Sequence, residues 1–307
     1  MCIMALLYRT AKNTPLLVAA NREERPDRPA QHPKIQSGMP RAVCGIDRLH
    51  GGTWLGVNQH GLFVAVTNRR KANPPLKPRS RGLLCRELLD LRTAKEAARL
   101  AAAELDTDQY DGANFIVADT RSAAIVYGGD QIDVLDLEPG LHILGNGNIN
   151  DPTDPRQDFV RRSLTLHALD SPVTFLAAAS RTFARKVDAA GRGTVLSGQD
   201  FSTVSSTLLS LPRKIQQAVY QYSPGPPCDR PYDDYSALLR QVLSTERAQK
   251  NKAQKEKEKE KEREREREKE KEKEKEKEKE KEKENASSNG QKTVASGEKK
   301  PAVRKKK

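Results

Sequence analysis

The chain opens with MCIMALLY at positions 1–8, an apolar run that places a cysteine directly after Met1. Removal of Met1 would leave Cys2 with both a thiol and a free α-amine. An α-amine titrates near ~7.7 to 8.0, so it can accept a thiol proton at neutral pH. A cysteine in this place is more often a small apolar residue that begins a strand. The rest of the sequence has to decide between a nucleophile and a structural residue.

Two β-hairpins are predicted in the first quarter of the chain. Residues 2–9 and 15–21 are β-compatible runs on either side of a polar turn. The segment NREERPDRP, residues 21–29, is predicted to leave the strand as a charged loop, because proline is excluded from helices and central strands. Residues 51–58 and 61–68 are rich in β-branched and aromatic residues and predict the second hairpin. Its glycines would let another backbone approach closely.

The middle and end of the chain alternate helical and strand patterns. Leucines at helical spacing predict a helix over 80–91, and Thr93 with Glu96 forms a capping box for a second helix to Leu105. This order of strands, helices, strands, helices and strands favours an α+β fold with antiparallel sheets covered by helices. The further predicted strands are 113–119, 123–127, 131–135, 141–144, 203–211 and 215–222, and the further helices are 157–169, 171–187 and 237–243.

Residues 1–246 are predicted to form one domain, and residues 247–307 a disordered low-complexity Lys/Glu tail. Residues 255–284 alternate strictly between basic and acidic side chains. Because residues four apart then carry the same sign, we expect a weakly helical or extended solvated segment rather than a stable helix or coiled coil. The terminal basic cluster, residues 304–307, would support only weak, non-specific contact with nucleic acid or acidic partners.

Several classes of site and location are excluded on the sequence. The four cysteines, Cys2, Cys44, Cys85 and Cys228, form no C-x-x-C pair, so neither a zinc site nor a disulfide framework is predicted. No metal or cofactor motif is present, and phosphate-binding and dinucleotide fingerprints are absent. The chain shows no secretory signal, and no apolar run approaches the ~18 residues of a membrane span. We therefore expect a soluble, cytoplasmic protein without a cofactor.

Asparagines stand at or near the ends of three predicted strands: Asn21, Asn68 and Asn146. A side-chain amide is a suitable oxyanion donor, because it stabilises developing negative charge without titrating. For each asparagine alone, a role in a turn is the commoner one. Their occurrence together with Cys2 and the cluster Arg22-Glu23-Glu24 favours a catalytic site.

Four motifs together resemble the NRDE family, also called the transport and Golgi organisation family. They are MCI at positions 1–3, LVAANREE at 17–24 followed by Arg28-Pro29, GGTWLGVN at 51–58, and AVTN at 65–68. The resemblance continues more loosely through residues 110–115 and 141–146 and covers about residues 1–211. The tail lies outside it.

This resemblance implies an N-terminal nucleophile hydrolase-like αββα sandwich of antiparallel sheets flanked by helices, similar in outline to bile-salt and penicillin V acylases. It implies that Cys2 attacks an amide carbonyl while its amine acts as the base. An acid at position 23 or 24 would help Arg22 to position the amine and thiol. Asparagines would bind the oxyanion and the N-terminus. The implied catalytic residues are Cys2, Arg22, Glu23, Asn68 and Asn146, and the implied substrate-binding residues are Asn21, Glu24 and Trp54.

Two positions depart from the wording that is usual in the family. Glu23 stands where an aspartate is usual, and Val204 stands where an arginine is usual. The leading hypothesis is hydrolysis of a non-peptide carbon–nitrogen amide bond in a small molecule, through a thioester on Cys2. The alternative, which both departures favour, is a non-catalytic protein of the same fold that binds or traffics a hydrophobic ligand such as haem or lipid. A third reading, an interaction protein acting through its tail, rests on composition alone.

Overall fold

The structure is a computed structural model that describes residues 2–245. Met1, the domain boundary predicted at 246/247 and the predicted tail lie outside the described residues. None of the helices among those residues has the length and apolarity needed to cross a membrane.

The described chain forms strands and helices in the following order: β1 (Ile3–Ala11), β2 (Thr14–Glu24), β3 (Ala30–Gln36), β4 (Ala42–Asp47), β5 (Leu55–Asn58), β6 (Phe63–Asn68), α1 (Arg81–Leu88), α2 (Ala94–Leu105), β7 (Ala113–Ala118), β8 (Ala123–Gly128), β9 (Ile132–Asp136), β10 (Gly140–Leu144), α3 (Pro155–Thr165), α4 (Pro172–Phe183), β11 (Ser202–Leu211), β12 (Val219–Ser223), β13 (Asp233–Asp234) and α5 (residues 236–245). A single 3₁₀ turn, Ile215–Gln217, lies between β11 and β12.

The strands form two antiparallel sheets. The first sheet has six strands in the order β10-β1-β2-β11-β12-β13, and the second has seven in the order β3-β4-β5-β6-β7-β8-β9. The second sheet is a meander in which neighbours in sequence are neighbours in space. In the first sheet, β10 and β11 return from later in the chain to flank the hairpin β1–β2. The strand that follows Cys2 is therefore central in its sheet.

Three hydrophobic cores separate four layers. The central core lies between the sheets and takes alternate residues of β1, namely Met4, Leu6 and Tyr8. The intervening residues of β1 pack under α3 and α4, and α1 with α2 cover the second sheet. Helix α5 adds apolar residues to the central core. This helix–sheet–sheet–helix arrangement confirms the predicted αββα fold class.

The predicted charged loop after Asn21 was wrong in part. Strand β2 continues to Glu24, because β11 pairs with it as far as Glu24 and so satisfies its backbone groups. Strands β3 and β4 follow this segment, in a region for which the sequence predicted no strand. Strand β3 tolerates Pro33 because it is an edge strand, and its register with β4 shifts next to that residue.

The starts of α2 and α4 were predicted accurately, because each carries a local signal, whereas α3 begins at Pro155, two residues before its predicted start. Thr93 Oγ1 accepts from the backbone N–H of Glu96 at 3.2 Å, and Glu96 Oε2 accepts from the backbone N–H of Thr93 at 3.0 Å. This is the reciprocal capping box that the sequence predicted. Ser171 caps α4 ahead of Pro172 by accepting from the backbone N–H of Thr174, without a reciprocal partner of the Glu96 kind.

Candidate active site

Cys2 directly precedes β1, the strand that pairs with β2 and β10. Residues two apart on a strand face the same side of the sheet, and Met4 belongs to the core between the sheets. Cys2 shares that side and is half-buried. It lies in the wall of a cleft of about 250 Å³. Side chains alternate in direction along a strand, and this alternation along β1 points the Cys2 thiol into the cleft.

Opposing effects act on the Cys2 thiol. Burial raises the pKa of the thiol above its ordinary value, and the negative charge of Glu23 adds to that rise. The backbone N–H of Glu23 hydrogen-bonds the sulfur, and the Arg22 guanidinium lies near it; both lower the pKa of Cys2. The net direction is upward, so the thiol is protonated at neutral pH and needs a base in order to react.

The backbone nitrogen of Cys2 donates a hydrogen bond to Oδ1 of Asn146 at 3.3 Å. With Met1 attached this atom is a peptide nitrogen, and it stands for the α-amine that removal of Met1 would create. Asn146 follows β10, and the pairing of β10 with β1 brings it beside Cys2. The structure therefore places Asn146 next to the nitrogen of Cys2.

Polar side chains, most of them buried, fix the loop that carries Asn146, residues 145–148. A Cβ at Gly145 would lie 2.9 Å from Oδ2 of Asp154, the N-cap of α3, so a larger residue would displace that carboxylate. The loop carbonyls accept hydrogen bonds from both sheet and helix side chains. The donors are Thr67 (2.9 Å to Gly145), Asn114 (3.1 Å to Gly147), Arg69 (3.2 Å to Gly147) and Gln157 (3.0 Å to Asn148).

Arg22 extends from β2 toward the second sheet. Its guanidinium stacks over Trp54, with 4.3 Å between Cζ and the ring centroid, and it forms an ion pair with Glu24 at 3.8 Å. Burial lowers the pKa of Arg22, and Glu24 opposes that shift. Because an arginine titrates far above neutral pH, the group stays a cation beside the thiol. Trp54 and Glu24 both line the cleft, where the sequence predicted substrate contacts.

Glu23 makes different contacts from its neighbours in β2. Its side chain is fully buried and forms a two-point ion pair with Arg156, in the first turn of α3. Burial raises the pKa of Glu23, and the hydrogen bonds and charge of Arg156 oppose that rise. Glu24 instead pairs with Arg28 at 3.5 Å, on the cleft side. Both acids are among the residues that line the cleft, but Glu23 pairs with a residue of α3 and Glu24 with a residue of the loop after β2.

Asn68 ends β6, is exposed, and lines the cleft. Its side-chain amide has no hydrogen-bond partner among residues 2–245, so it is available to a bound group. Asn21 is placed differently from the other predicted site residues. It lies inside β2, and its amide nitrogen donates to the carbonyls of Phe183 (3.0 Å) and Thr194 (2.9 Å) in the helix layer. Asn21 does not line the 250 Å³ cleft.

The Gly-Gly-Thr-Trp motif places Trp54 through backbone contact. A Cβ on Gly52 would lie 2.2 Å from the carbonyl carbon of Gly82, so only glycine lets this loop touch the start of α1. The backbone N–H of Thr53 donates to Gly82 O at 2.8 Å and fixes the contact. Gly45 leaves space for the ring, since a Cβ there would lie 2.5 Å from Trp54. The close backbone approach predicted from these glycines is confirmed.

The wall of the cleft is polar. Apart from Cys2, nine of its residues carry ionisable side chains, while Trp54, Val66 and Pro78 are its apolar members. Arg28 bridges the two sheets by donating to Asp47 at 2.6 Å. Burial raises the pKa of Asp47, but the hydrogen bonds from Arg28 and from the backbone of Leu49 outweigh it and leave that pKa below its ordinary value.

Sequence reasoning missed several residues that hold this site together. Arg156 was not singled out, although Pro155 after Asp154 signals a helix start and so puts residue 156 in a first turn. Nothing local identifies Glu23 as its partner, because 133 residues separate them. Thr67 and Asn114 each belong to a motif that carried the family resemblance, but their contact with the 145–148 loop depends on the crossing of β10 to the other sheet.

Two solved structures share the outline of the chain. They are penicillin V acylase from Agrobacterium tumefaciens (12% identical, TM-score 0.46, covering 72% of this chain and 82% of that chain) and the Caenorhabditis elegans N-acylethanolamine-hydrolyzing acid amidase ortholog (14% identical, TM-score 0.45, covering 68% and 92%).

Curated sequences give a nearer likeness. The chain is 30% identical over 145 residues to the Transport and Golgi organization protein 2 homolog of Homo sapiens, and 28% identical over 145 residues to the Mus musculus homolog. Each alignment covers 45% of this chain and 52% of the relative, so the chain spans about half the length of the curated relatives it matches. The family description Transport and Golgi organisation 2 matches residues 1–171, which is more than half of the chain. On that match the chain belongs to the Transport and Golgi organisation 2 family, the NRDE family of the sequence motifs.

Proposed function

We propose that the protein, once Met1 is removed, hydrolyses a non-peptide carbon–nitrogen amide bond in a small molecule, with Cys2 as nucleophile. The observation that carries the proposal is the 3.3 Å hydrogen bond from the Cys2 nitrogen to Asn146. This hydrogen bond fixes the position of the nitrogen that becomes the α-amine. The same residue carries the thiol. A nucleophile and its base then need no other residue to bring them together.

In the proposed reaction the α-amine takes the thiol proton while the sulfur attacks the amide carbonyl carbon. The free amide of Asn68 donates to the oxygen on which negative charge develops. Collapse of this intermediate breaks the carbon–nitrogen bond as the proton passes from the α-amine to the leaving nitrogen. A thioester on Cys2 remains, and water hydrolyses it to a carboxylic acid and the free thiol. Asn146 orients the amine, and Arg22 lowers the pKa of the thiol.

The polarity of the cleft favours this reaction over the binding of haem or lipid. Sites for hydrophobic ligands are lined mainly by apolar and aromatic side chains with few polar groups. Here the ionisable residues outnumber the apolar ones three to one, and Trp54 is covered on one face by Arg22. A small polar amide fits such surroundings better than a large apolar ligand does.

The test uses the purified full chain, intact-mass analysis and iodoacetamide. We expect Met1 to be absent and Cys2 to be alkylated at pH 7 at least tenfold faster than the exposed Cys228, because the amine assists deprotonation. A panel of small non-peptide amides is then assayed for amine release, which Cys2→Ala abolishes and Cys228→Ala leaves unchanged.

Retention of Met1 would remove the base and overturn the proposal. If Met1 is absent but Cys2 reacts no faster than Cys228, the non-catalytic binding protein becomes the better account. Tight binding of haem or lipid by the Cys2→Ala variant, without amine release by the unaltered chain, would point the same way.

A further inference from the structure

A fully buried carboxylate lies directly behind the nucleophile. The side chain of Glu23 is 0% exposed, and Arg156 is 15% exposed. Arg156 Nη1 donates to one carboxylate oxygen at 3.0 Å, and Nη2 donates to the other. A buried charge is tolerated when it is paired and hydrogen-bonded, and this fork-to-fork geometry supplies both.

The guanidinium of Arg156 is itself held in place. Nη2 also donates to the carbonyl of Thr194 at 3.1 Å, and Nε donates to the carbonyl of Gly193 at 3.4 Å. Its position in the first turn of α3, with Asp154 as the N-cap, fixes the backbone from which it extends. All three guanidinium nitrogens therefore have acceptors, a set of contacts that a lysine cannot reproduce.

Glu23 also touches Cys2, through its backbone and through its charge. Its backbone N–H hydrogen-bonds the thiol, and its negative charge raises the pKa of that thiol. The same charge would favour the protonated form of an α-amine at the Cys2 nitrogen, and a protonated amine is no base. Other charged groups surround this point in the sheets, in the loop after β2 and at the start of α3. They are Arg22 and Glu24 of β2, Asp47 of β4, Arg28 of the loop, Asp154 as the N-cap of α3, and Arg156 in its first turn.

We propose that Arg156 is a positioning residue of the Cys2 site, which clamps Glu23 behind the nucleophile and cancels the charge of its carboxylate. The acid then supplies its backbone N–H to the thiol without an uncompensated negative charge beside the thiol and the amine. This inference rests on the proposed function, in which Cys2 must lose a proton near neutral pH. It assigns α3, which contributes no residue to the cleft wall, a part in the chemistry.

The test measures the rate of Cys2 alkylation by iodoacetamide as a function of pH, in the full chain. Arg156→Met keeps the length of the side chain and removes its charge. We expect its pH midpoint to move about one unit to higher pH, the size of shift that one nearby charge causes, and the rate at pH 7 to fall about tenfold. Arg156→Lys should recover part of the shift. Arg162→Met is the matched control, because Arg162 lies on the same helix and is 79% exposed.

A double-mutant cycle covers the case in which Arg156→Met fails to fold. In the Glu23→Gln background the carboxylate is gone, so adding Arg156→Met should not move the midpoint further. A folded Arg156→Met variant with the midpoint of the unaltered chain would overturn the proposal. An equal shift with and without Glu23→Gln would overturn it as well, because Arg156 would then act on something other than Glu23.

The outcome is separable from that of the proposed function. Glu23 acts on the thiol whether or not Met1 has been removed, so the midpoint of Cys2 reports on Arg156 even in a chain that hydrolyses no amide. If the unaltered chain hydrolyses no amide but Arg156→Met still shifts the pH midpoint, the proposed function is wrong. The electrostatic role of the ion pair is then still supported.

Discussion

At the scale of single residues, two asparagines of the site differ in what they already bind. Asn146 accepts from the Cys2 nitrogen, whereas the amide of Asn68 has no partner among residues 2–245 and lines the cleft. The first is occupied by the N-terminal group, and the second is available to an incoming oxygen. Substituting each asparagine in turn should therefore affect amide hydrolysis and Cys2 alkylation differently.

Asn68→Ala is expected to lower kcat for amide hydrolysis about 10²- to 10³-fold, the usual cost of removing one oxyanion donor. It should leave the alkylation of Cys2 by iodoacetamide unchanged, because that displacement forms no oxyanion. Asn146→Ala should slow both reactions, since it releases the group that is to take the thiol proton. Equal slowing of alkylation by the two variants would contradict this division.

Asn21, which the family resemblance predicted as a substrate-binding residue, makes hydrogen bonds that should contribute to stability. Asn21→Ala removes two hydrogen bonds to buried carbonyls. We expect the free energy of unfolding to fall by about 1 to 3 kcal/mol, because an unsatisfied buried acceptor keeps its full desolvation cost. Urea unfolding measures it, and Asn73→Ala, at an exposed position, should change little. A loss below a few tenths of a kcal/mol would show that water replaces the amide.

The Arg28–Asp47 bridge gives stability a pH dependence of definite sign. The pKa of Asp47 in the folded chain lies below its ordinary value of 3.8. The unfolded chain therefore binds a proton first as the pH falls, and the stability from this pair is lost from about pH 4 downward, while it is fully present at neutral pH. Asp47→Asn should lower Tm at pH 7 and flatten its fall below pH 4. The exposed Asp133→Asn should retain the acid-side slope of the unaltered chain.

The sequence was enough to propose Cys2 as the nucleophile, but not to predict the ion pair that holds Glu23 beside it. Cys2, Arg22 and Trp54 stand in motifs whose wording is local. The cation beside the buried acid comes from Arg156, while Val204 occupies the register shift between Thr203 and Ser205 of β11. A contact between residues 133 positions apart leaves no local pattern. The sequence therefore showed that Val204 stands where an arginine is usual, but it did not show that Arg156 pairs with Glu23.

At the scale of elements, the loop of residues 51–54 depends on two glycines in contact. Gly52→Ala would bring a Cβ within 2.2 Å of backbone in α1, and backbone cannot turn aside as a side-chain end can. We expect a loss of about 1 to 3 kcal/mol in the free energy of unfolding, the usual cost of overpacking. Cys2 reactivity should change as well, because Trp54 and Arg22 move together. Gly140→Ala, with its nearest contact at 3.8 Å, is the control.

The success of prediction also varied by element, for physical reasons. Helices α2 and α4 begin at side-chain caps that lie within three residues of the start, so their signals are local. Strand β3 was missed because charge and proline suggest loop, whereas an edge strand tolerates both. Strand β4 was missed as well, although it is an inner strand without proline. Strand β10 was predicted, but its pairing with β1 was not. The chain leaves the second sheet after β9, and the strand that β10 joins depends on which sheet edge is open and not on its local sequence.

At the scale of the whole molecule, the family match and the folded unit have different extents. The match covers residues 1–171, but β2 lies between β1 and β11, and β11 starts at Ser202. Strand β11 pairs with Arg22 and Glu23 directly. The central core also takes Tyr220 from β12 and Leu239 from α5. The site residues of the matched region are therefore held by a region beyond it.

A fragment of residues 1–171 should accordingly lack a cooperative unfolding transition, because β2 becomes an open edge and the central core loses part of one wall. Its Cys2 should react with iodoacetamide at the rate of a thiol in an unfolded chain. A chain ending at residue 246 keeps every strand found within residues 2–245 and should retain both the transition and the Cys2 rate of the full chain. If the fragment 1–171 unfolded cooperatively with a reactive Cys2, the strands from β11 onward would be dispensable to the site, and the pairing of β11 with β2 could not be what positions Arg22 and Glu23.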